Sequence, residues 1–133
     1  RMGAKEAIGA GDSLGDFESS FDVIYESSGA PGALDLSIQL AAQGGRIAVL
    51  GIPGESHPVS TVQIVRKELT IVGSMIYTDE IPKSVDILDQ GMVNTGPLVS
   101  GTIRLEELGD NLKNFSDPGR MKTLVEIQGP GSE

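Results

Sequence analysis

The sequence predicts an α/β fold built on a parallel sheet, and three observations predict it. Apolar runs of about six residues alternate with stretches of about ten whose apolar residues recur at helical spacing, the pattern of βαβ units. The runs 46–51 (RIAVLG) and 69–74 (LTIVGS) are apolar throughout instead of alternating, as strands buried on both faces are. Glycine and proline stand at most junctions between the two kinds of stretch. Glycine alone supplies 18 of 133 residues, about 14% where ~7% is usual. Right-handed crossovers are expected to place helices on both faces of the sheet.

The elements follow in order. Phe21-Asp22-Val23-Ile24-Tyr25-Glu26 is a β-branched run punctuated by Ser27-Ser28-Gly29-Ala30-Pro31-Gly32, a strand meeting a turn. A helix is expected from about Gly32 to Ala42, with Leu34, Ile38 and Ala41 on one face and Gly44-Gly45 as its stop. The strand 46–51 follows, then a loop holding Pro53, Gly54 and Pro58, then a short helix capped by Ser60 that carries Val62 and Val65. The strand 69–74 comes next. Pro82 suits the first turn of another helix, with Ile81, Val85 and Leu88 on its inner face and Gly91 at its end. The alternation weakens after Gly91. Residues 102–105 read as a strand, Leu105, Leu108, Leu112 and Phe115 as a helix, Asp117-Pro118-Gly119 as a turn, and residues 121–127 as a closing strand. The expected organisation is a partial sheet domain over 1–91, a small α+β segment over 92–128, and a flexible tail over 129–133.

Composition narrows the function. Lys and Arg total 10 against 19 Asp and Glu, a formal charge of −9. That balance excludes a broad basic footprint for nucleic acid. There is no cysteine and one histidine, His57, so neither a disulfide nor a thiolate or His-rich zinc site is available. No apolar run reaches the ~18 residues of a membrane span. No export signal follows the first residues, and a cytoplasmic location is the expectation.

The glycine motifs differ in weight. Gly9-Ala10-Gly11-Asp12-Ser13-Leu14-Gly15 is G-x-G-x-x-x-G, and only five residues separate it from the next strand, too few for the helix a phosphate loop opens. It reads as a surface turn. The turns after the strands sit where open parallel sheets bind ligands, so Ser27-Ser28-Gly29 and Leu50-Gly51-Ile52-Pro53-Gly54 are either ordinary βα turns or the edges of a crevice. His57 is read as a solvated loop residue. Asp79, Glu80, Glu106 and Glu107 are read as acids favouring helix N-termini. Arg120 and Lys122 flank the last strand, either as solvated cations or as phosphate contacts.

Several of these stretches resemble medium-chain dehydrogenase/reductases, the zinc-type alcohol, polyol and threonine dehydrogenases. Phe21-Asp22-Val23-Ile24-Tyr25-Glu26-Ser27-Ser28-Gly29 with Ala33-Leu34 is similar to that family's FDVVxExSG…AL, and residues 44–51 to its GGRxVxxG. Residues 67–74 with Tyr77-Thr78 resemble KELTxxGSxxYT, residues 97–100 the PLIT that opens the closing segment, and residues 119–122 its final GR…K. The likeness covers the C-terminal part of the family pattern, from about Gly3 to Ile127. It implies a partial Rossmann-like domain, its three core strands at 21–26, 46–51 and 69–74, plus the closing segment.

The resemblance implies an NAD- or NADP-dependent oxidoreductase that transfers hydride to or from an alcohol or polyol. Carried over by position, Ser27, Ser28, Gly29 and Ala30 match the adenosine and ribose side of the cofactor site. Leu50, Gly51 and Ile52 match residues along the nicotinamide, Ser74, Met75 and Ile76 the backbone that holds the carboxamide, and Lys122 a cation reaching the pyrophosphate. No catalytic residue and no zinc ligand carries over, and the Gly-rich phosphate turn has no counterpart here. The chain alone is therefore expected to be inactive and to bind dinucleotide weakly. The alternative is a non-catalytic α/β interaction module. The resemblance also implies a homodimer, and a strand- or segment-exchanged oligomer is expected because the strand 21–26 would have an open edge.

Overall fold

The β-branched run at Phe21–Glu26 forms the first strand, β1, over the predicted residues. The computed structural model describes residues 3–9, 12–114, 117 and 119–127. After β1 come α1 (Ala33–Leu40), β2 (Ala41–Val49), α2 (Thr61–Arg66), β3 (Thr70–Gly73), α3 (Glu80–Asp89), β4 (Val99–Arg104), α4 (Leu108–Lys113) and β5 (Lys122–Glu126). β1, β2 and β3 make a parallel sheet in that order, with Ile24 opposite Ile47 and Ile47 opposite Ile71. β4 and β5 make a second, two-stranded parallel sheet. The chain forms two compact units, one over Ile8–Thr78 and one from Arg1–Ala7 with Asp79–Glu133. The α/β class with parallel strands is thus as the sequence predicts.

The core of the first unit lies on one face of its sheet. Ile38 of α1 and Ala41 and Ile47 of β2 are buried, and Ile24, Leu34, Val49, Val59, Ile64, Leu69 and Ile71 pack around them. Because Ile38 of α1 and Ile64 of α2 join the same cluster with Ile47, α1 and α2 cover the same face. This corrects the expectation of helices on both faces. Two right-handed crossovers stepping in one direction land on one side, and only a reversal of strand order would supply the other. β3, expected to be buried on both sides, accordingly leaves Val72 50% exposed, in one row with Tyr25 of β1 at 72%.

The first helix ends at Leu40, short of the expected Ala42, and the cause is a cation. The Lys67 ammonium donates to the carbonyls of Ile38 (3.0 Å), Gln39 (2.7 Å) and Ala41 (2.9 Å). Ser19 and Ser20 N–H groups donate to the carbonyls of Gln39 and Leu40. The last-turn acceptors are thereby satisfied without another helical turn. Gly44 and Gly45 do not stop the helix but lie within β2, where the pairing with β1 shifts register between Phe21 and Val23. At the other end β2 stops at Val49, two residues before the expected end.

The smaller elements show similar local causes. Ser60 occupies the N-cap of α2, but its side chain makes no capping bond, and Asp35 Oδ1 instead accepts its N–H at 3.0 Å. Gly91, at φ +65°, ends α3, with its N–H donated to Leu88 O and that of Met92 to Ile87 O. The expected inner face of α3 is open, with Ile81 49%, Val85 57% and Leu88 49% exposed. Periodicity registers an apolar stripe, not whether this chain covers it. After β4 a single 3₁₀ turn over Leu105–Glu107 precedes α4, and Glu107 accepts the Arg104 N–H at 2.8 Å. Phe115, Pro118 and the tail 129–133 lie outside the described residues.

Replacing Lys67 tests this account of the helix end. Lys67→Met keeps the aliphatic stem and removes three charge-assisted bonds, so stability should fall by about 1–3 kcal/mol. An unchanged urea midpoint would show that water serves those carbonyls equally well.

Candidate functional site

Glu26 ends β1 and is 6% exposed, with its side chain turned back into the chain that follows it. Its Oε1 accepts the Ser28 N–H (2.8 Å), the Ser28 hydroxyl (2.7 Å) and the Gly29 N–H (3.0 Å). Ser28 Oγ in turn accepts the Ala30 N–H at 3.1 Å. The Glu26 carbonyl accepts the N–H groups of Leu50 (2.7 Å) and Gly51 (3.0 Å). One residue thus orders its own turn and ties it to the turn after β2. The Ser28 hydroxyl, with the Gly29 and Ser28 N–H groups behind it, holds the carboxyl below the usual glutamate range, against the opposing effect of desolvation.

The two turns cross at contact distance. A Cβ at Gly51 would fall on Gly29 N and lie 2.6 Å from Glu26 Oε2. A Cβ at Gly29, which sits at φ +61°, would lie 2.7 Å from Ile52 O. Both positions need glycine, the first for space and the second for backbone hand as well. The Ser74 N–H donates to Val49 O at 2.9 Å, which joins the turn after β3 to the same row.

The structure therefore brings ten of the eleven expected site residues to one edge. Ser27, Ser28, Gly29 and Ala30 follow β1, Leu50, Gly51 and Ile52 follow β2, and Ser74, Met75 and Ile76 follow β3. All stand beyond the carboxyl ends of parallel strands, where such sheets bind ligands. Apolar side chains face solvent along this edge, with Ile52 72%, Met75 68% and Ile76 71% exposed. Ile76 has φ +54°, a conformation that costs a β-branched residue strain and directs the chain away from the strand line. Lys122 belongs to the other unit, at the start of β5, where it lines a cavity of about 310 Å³ with Ile103, Leu112 and Arg120.

Sequence reasoning missed three participants. In the sequence Glu26 reads only as part of a strand. Its signal is an acid closing an apolar strand immediately before Ser-Ser-Gly, whose hydroxyl and N–H groups need an acceptor. Asp35 and Val59 line a cavity of about 440 Å³ beside the crevice, together with Ala30, Pro53 and the exposed His57. In the Gly9–Gly15 cluster, Asp12 folds back on Gly9 through Oδ2 (2.8 Å) and N–H (3.0 Å) bonds, and Gly15 begins a 3₁₀ turn, while Ala10 and Gly11 lie outside the described residues. The described part forms a turn and opens no α-helix. Among the described residues no three His, Cys, Asp or Glu side chains gather as a metal site, and no helix is long and apolar enough to cross a membrane.

Comparison with known proteins places this geometry. The profile of the family described as "Zinc-binding dehydrogenase" matches residues 2–90. Sorbitol dehydrogenase of Bacillus subtilis (strain 168) is 31% identical over 93 residues, which is 69% of this chain and 26% of that enzyme. A solved structure from Sinorhizobium meliloti 1021, described as a zinc-binding dehydrogenase bound to NADP, superposes with a TM-score of 0.74 at 29% identity, covering 80% of this chain and 32% of that one. L-idonate 5-dehydrogenase of Escherichia coli K-12 shares the fold, with a TM-score of 0.80 at 23% identity over 89% of this chain and 35% of that one. The chain spans roughly a quarter to a third of the length of these proteins.

Two substitutions test the crossing of the turns. Because the folded pKa of Glu26 lies below its unfolded value, its stabilisation is present above the unfolded value and is lost as pH falls through the folded one. Glu26→Gln should cost on the order of 1–2 kcal/mol at pH 7, and the gap from the parent should close in acid. A gap that stays constant with pH in denaturant titrations would refute the charged role. Gly51→Ala should cost about 1–3 kcal/mol by overpacking against backbone, read from the same titrations.

Proposed function

The chain belongs to the zinc-binding dehydrogenase family, and we propose that it supplies one side of a nicotinamide-dinucleotide crevice in a cytoplasmic oxidoreductase. The observation that carries this is the Glu26-held crossing of the turns at Gly29 and Gly51, which presents three adjacent turns at the carboxyl ends of parallel strands. In this reading Ser27, Ser28, Gly29 and Ala30 border the adenosine and ribose. Leu50, Gly51 and Ile52 lie along the nicotinamide, and the backbone of Ser74, Met75 and Ile76 receives the carboxamide. Lys122, in the other unit, is assigned to the pyrophosphate by the family resemblance alone. The exposed Ile52, Met75 and Ile76 side chains suit a flat, partly apolar ligand. The bound cofactor would accept or release hydride, and the chain's own residues would bind and orient it.

The same reading gives residues 1–91 to the cofactor domain and residues 92–128 to a closing segment. Zinc does not fit the described residues, since no cluster of suitable donors exists and the sequence has no cysteine. No step through zinc is assigned to this chain. The Gly-rich phosphate turn of the family has no counterpart in this sequence, and in this reading the 133-residue chain by itself binds dinucleotide weakly and does not turn over substrate.

Self-association is a second reading, favoured by one observation. β1 is an edge strand of a sheet whose face carries exposed Val23, Tyr25 and Val72. An open parallel edge beside an apolar face is a template for another chain.

Titration of the labelled chain with NADH at millimolar concentration, followed by amide NMR, tests the crevice. Shifts should concentrate at 27–30, 50–52 and 74–76. Shifts only elsewhere would refute the assignment, and micromolar binding by calorimetry would refute the expected weakness. Light scattering should show mass rising above one chain with concentration, and a constant monomer mass would exclude self-association.

A further inference from the structure

Among the described residues, three that are not glycine hold a left-handed backbone: Ser19 at φ +55°, Glu68 at φ +53° and Ile76 at φ +54°. In two of them backbone hydrogen bonds offset the strain. Glu68 follows α2, where its N–H donates to Val65 O at 3.2 Å and the Leu69 N–H reaches back to Ile64 O at 3.0 Å. Those two bonds close the helix. Ser19 donates its N–H to Gln39 O at 3.1 Å, and the Ser20 N–H lies on Phe17 O and Leu40 O. In both places the unfavourable backbone brings two successive N–H groups to acceptors.

Nothing of the kind offsets Ile76. It is the one β-branched residue of the three, and so the one that tolerates this conformation least. Among the described residues, the N–H groups of Met75, Ile76 and Tyr77 find no acceptor, and the carbonyls of Ser74, Met75 and Ile76 find no donor. The segment is nevertheless fixed where it starts, by the Ser74 N–H on Val49 O. The strain at Ile76 thus brings the fold no hydrogen bond of its own. It brings a shape, with donors and acceptors left open at the carboxyl end of a parallel strand. Strain of this kind is kept where a ligand uses it. An amide is the ligand group that both donates and accepts, and so answers both kinds of open group.

We propose that Ile76 is a positioning residue: its left-handed backbone holds the turn after β3 in the shape that selects for an amide on the dinucleotide. This rests on the dinucleotide reading of the crevice and deepens it. The selection belongs to the hand of the backbone, while the Ile76 side chain adds only apolar contact. Two substitutions separate those contributions. Asparagine tolerates the left-handed region and keeps the hand without the apolar side chain. Glycine reaches the same region but many others as well, so a ligand has to order the turn as it binds.

Amide NMR titrations of the full chain read the outcome, with NADH and with its analogue that carries an acetyl group in place of the carboxamide. The parent should bind NADH about three- to ten-fold more tightly than the acetyl analogue. Ile76→Gly should bind NADH about three- to ten-fold more weakly than the parent and lose that preference. Its urea midpoint should hold or rise, because the strain is gone. Ile76→Asn should restore the preference. A parent that binds both ligands alike overturns the selection for an amide. A preference kept in Ile76→Gly overturns the role of Ile76, and one lost in Ile76→Asn assigns it to the side chain instead. An Ile76→Gly variant with a lowered midpoint has loosened as a whole, and that too overturns the proposal. If NADH moves no signal at 27–30, 50–52 or 74–76 of the parent, the dinucleotide reading itself fails. Shifts at those turns with an unmoved preference in Ile76→Gly sink this proposal alone.

Discussion

Glu26 is the residue on which the arrangement of the site depends. Its carboxylate orders the turn that follows β1, and its carbonyl receives the chain as it leaves β2. Those two functions act at right angles, one along the chain and one across the sheet. A buried charge with three donors on one oxygen is stable only while all three stay in place. The crossing of Gly29 over Gly51 is therefore held from both sides, by a carboxylate that pulls and by backbone that leaves no room for a side chain.

Lys67 does comparable work at the opposite end of the sheet. It gathers the last carbonyls of α1 and lets the chain enter β2 directly, with no loop between helix and strand. That fixes where β2 begins, and beyond the register shift after Phe21 the strands pair with Ile24, Ile47 and Ile71 in one row. The small core around Ile38, Ala41 and Ile47 sits between the lysine and the glutamate. Such a core has little apolar burial to spare, so the charge-assisted hydrogen bonds of Lys67 and Glu26 carry a larger share of the order than they would in a bigger domain.

Much of this was visible in the sequence, for identifiable reasons. β1 was found to the residue because a β-branched run met a Ser-Ser-Gly turn, and both signals are local. The turns after β1 and β2 are legible from the strand pattern, whereas the turn at Ser74-Met75-Ile76 comes from the family resemblance alone. What escaped was non-local. The end of α1 is set by Lys67, 28 residues beyond Gln39 in sequence, and no periodicity carries that. The role of Glu26 depends on a turn folding back over it, so its position in a strand hid it. One-sided coverage was missed because an apolar strand looks the same whether its second face is buried or bare. The stripe of α3 is legible as apolar in the same way, while its exposure is not.

The parallel pairing of every described strand has a consequence for how the chain reaches this state. Among the described strands there is no hairpin, and partners such as Ile24 and Ile47, or Thr102 and Leu124, are separated by a whole crossover. No strand pair can then form by a tight local turn, and each must first close a long loop and lose its entropy. The helix of that loop has to be in place, or nearly so, before the strands gain anything by meeting. Folding of this sequence should be limited by the search for those distant partners, and the exposed strand edges would spend that search unprotected.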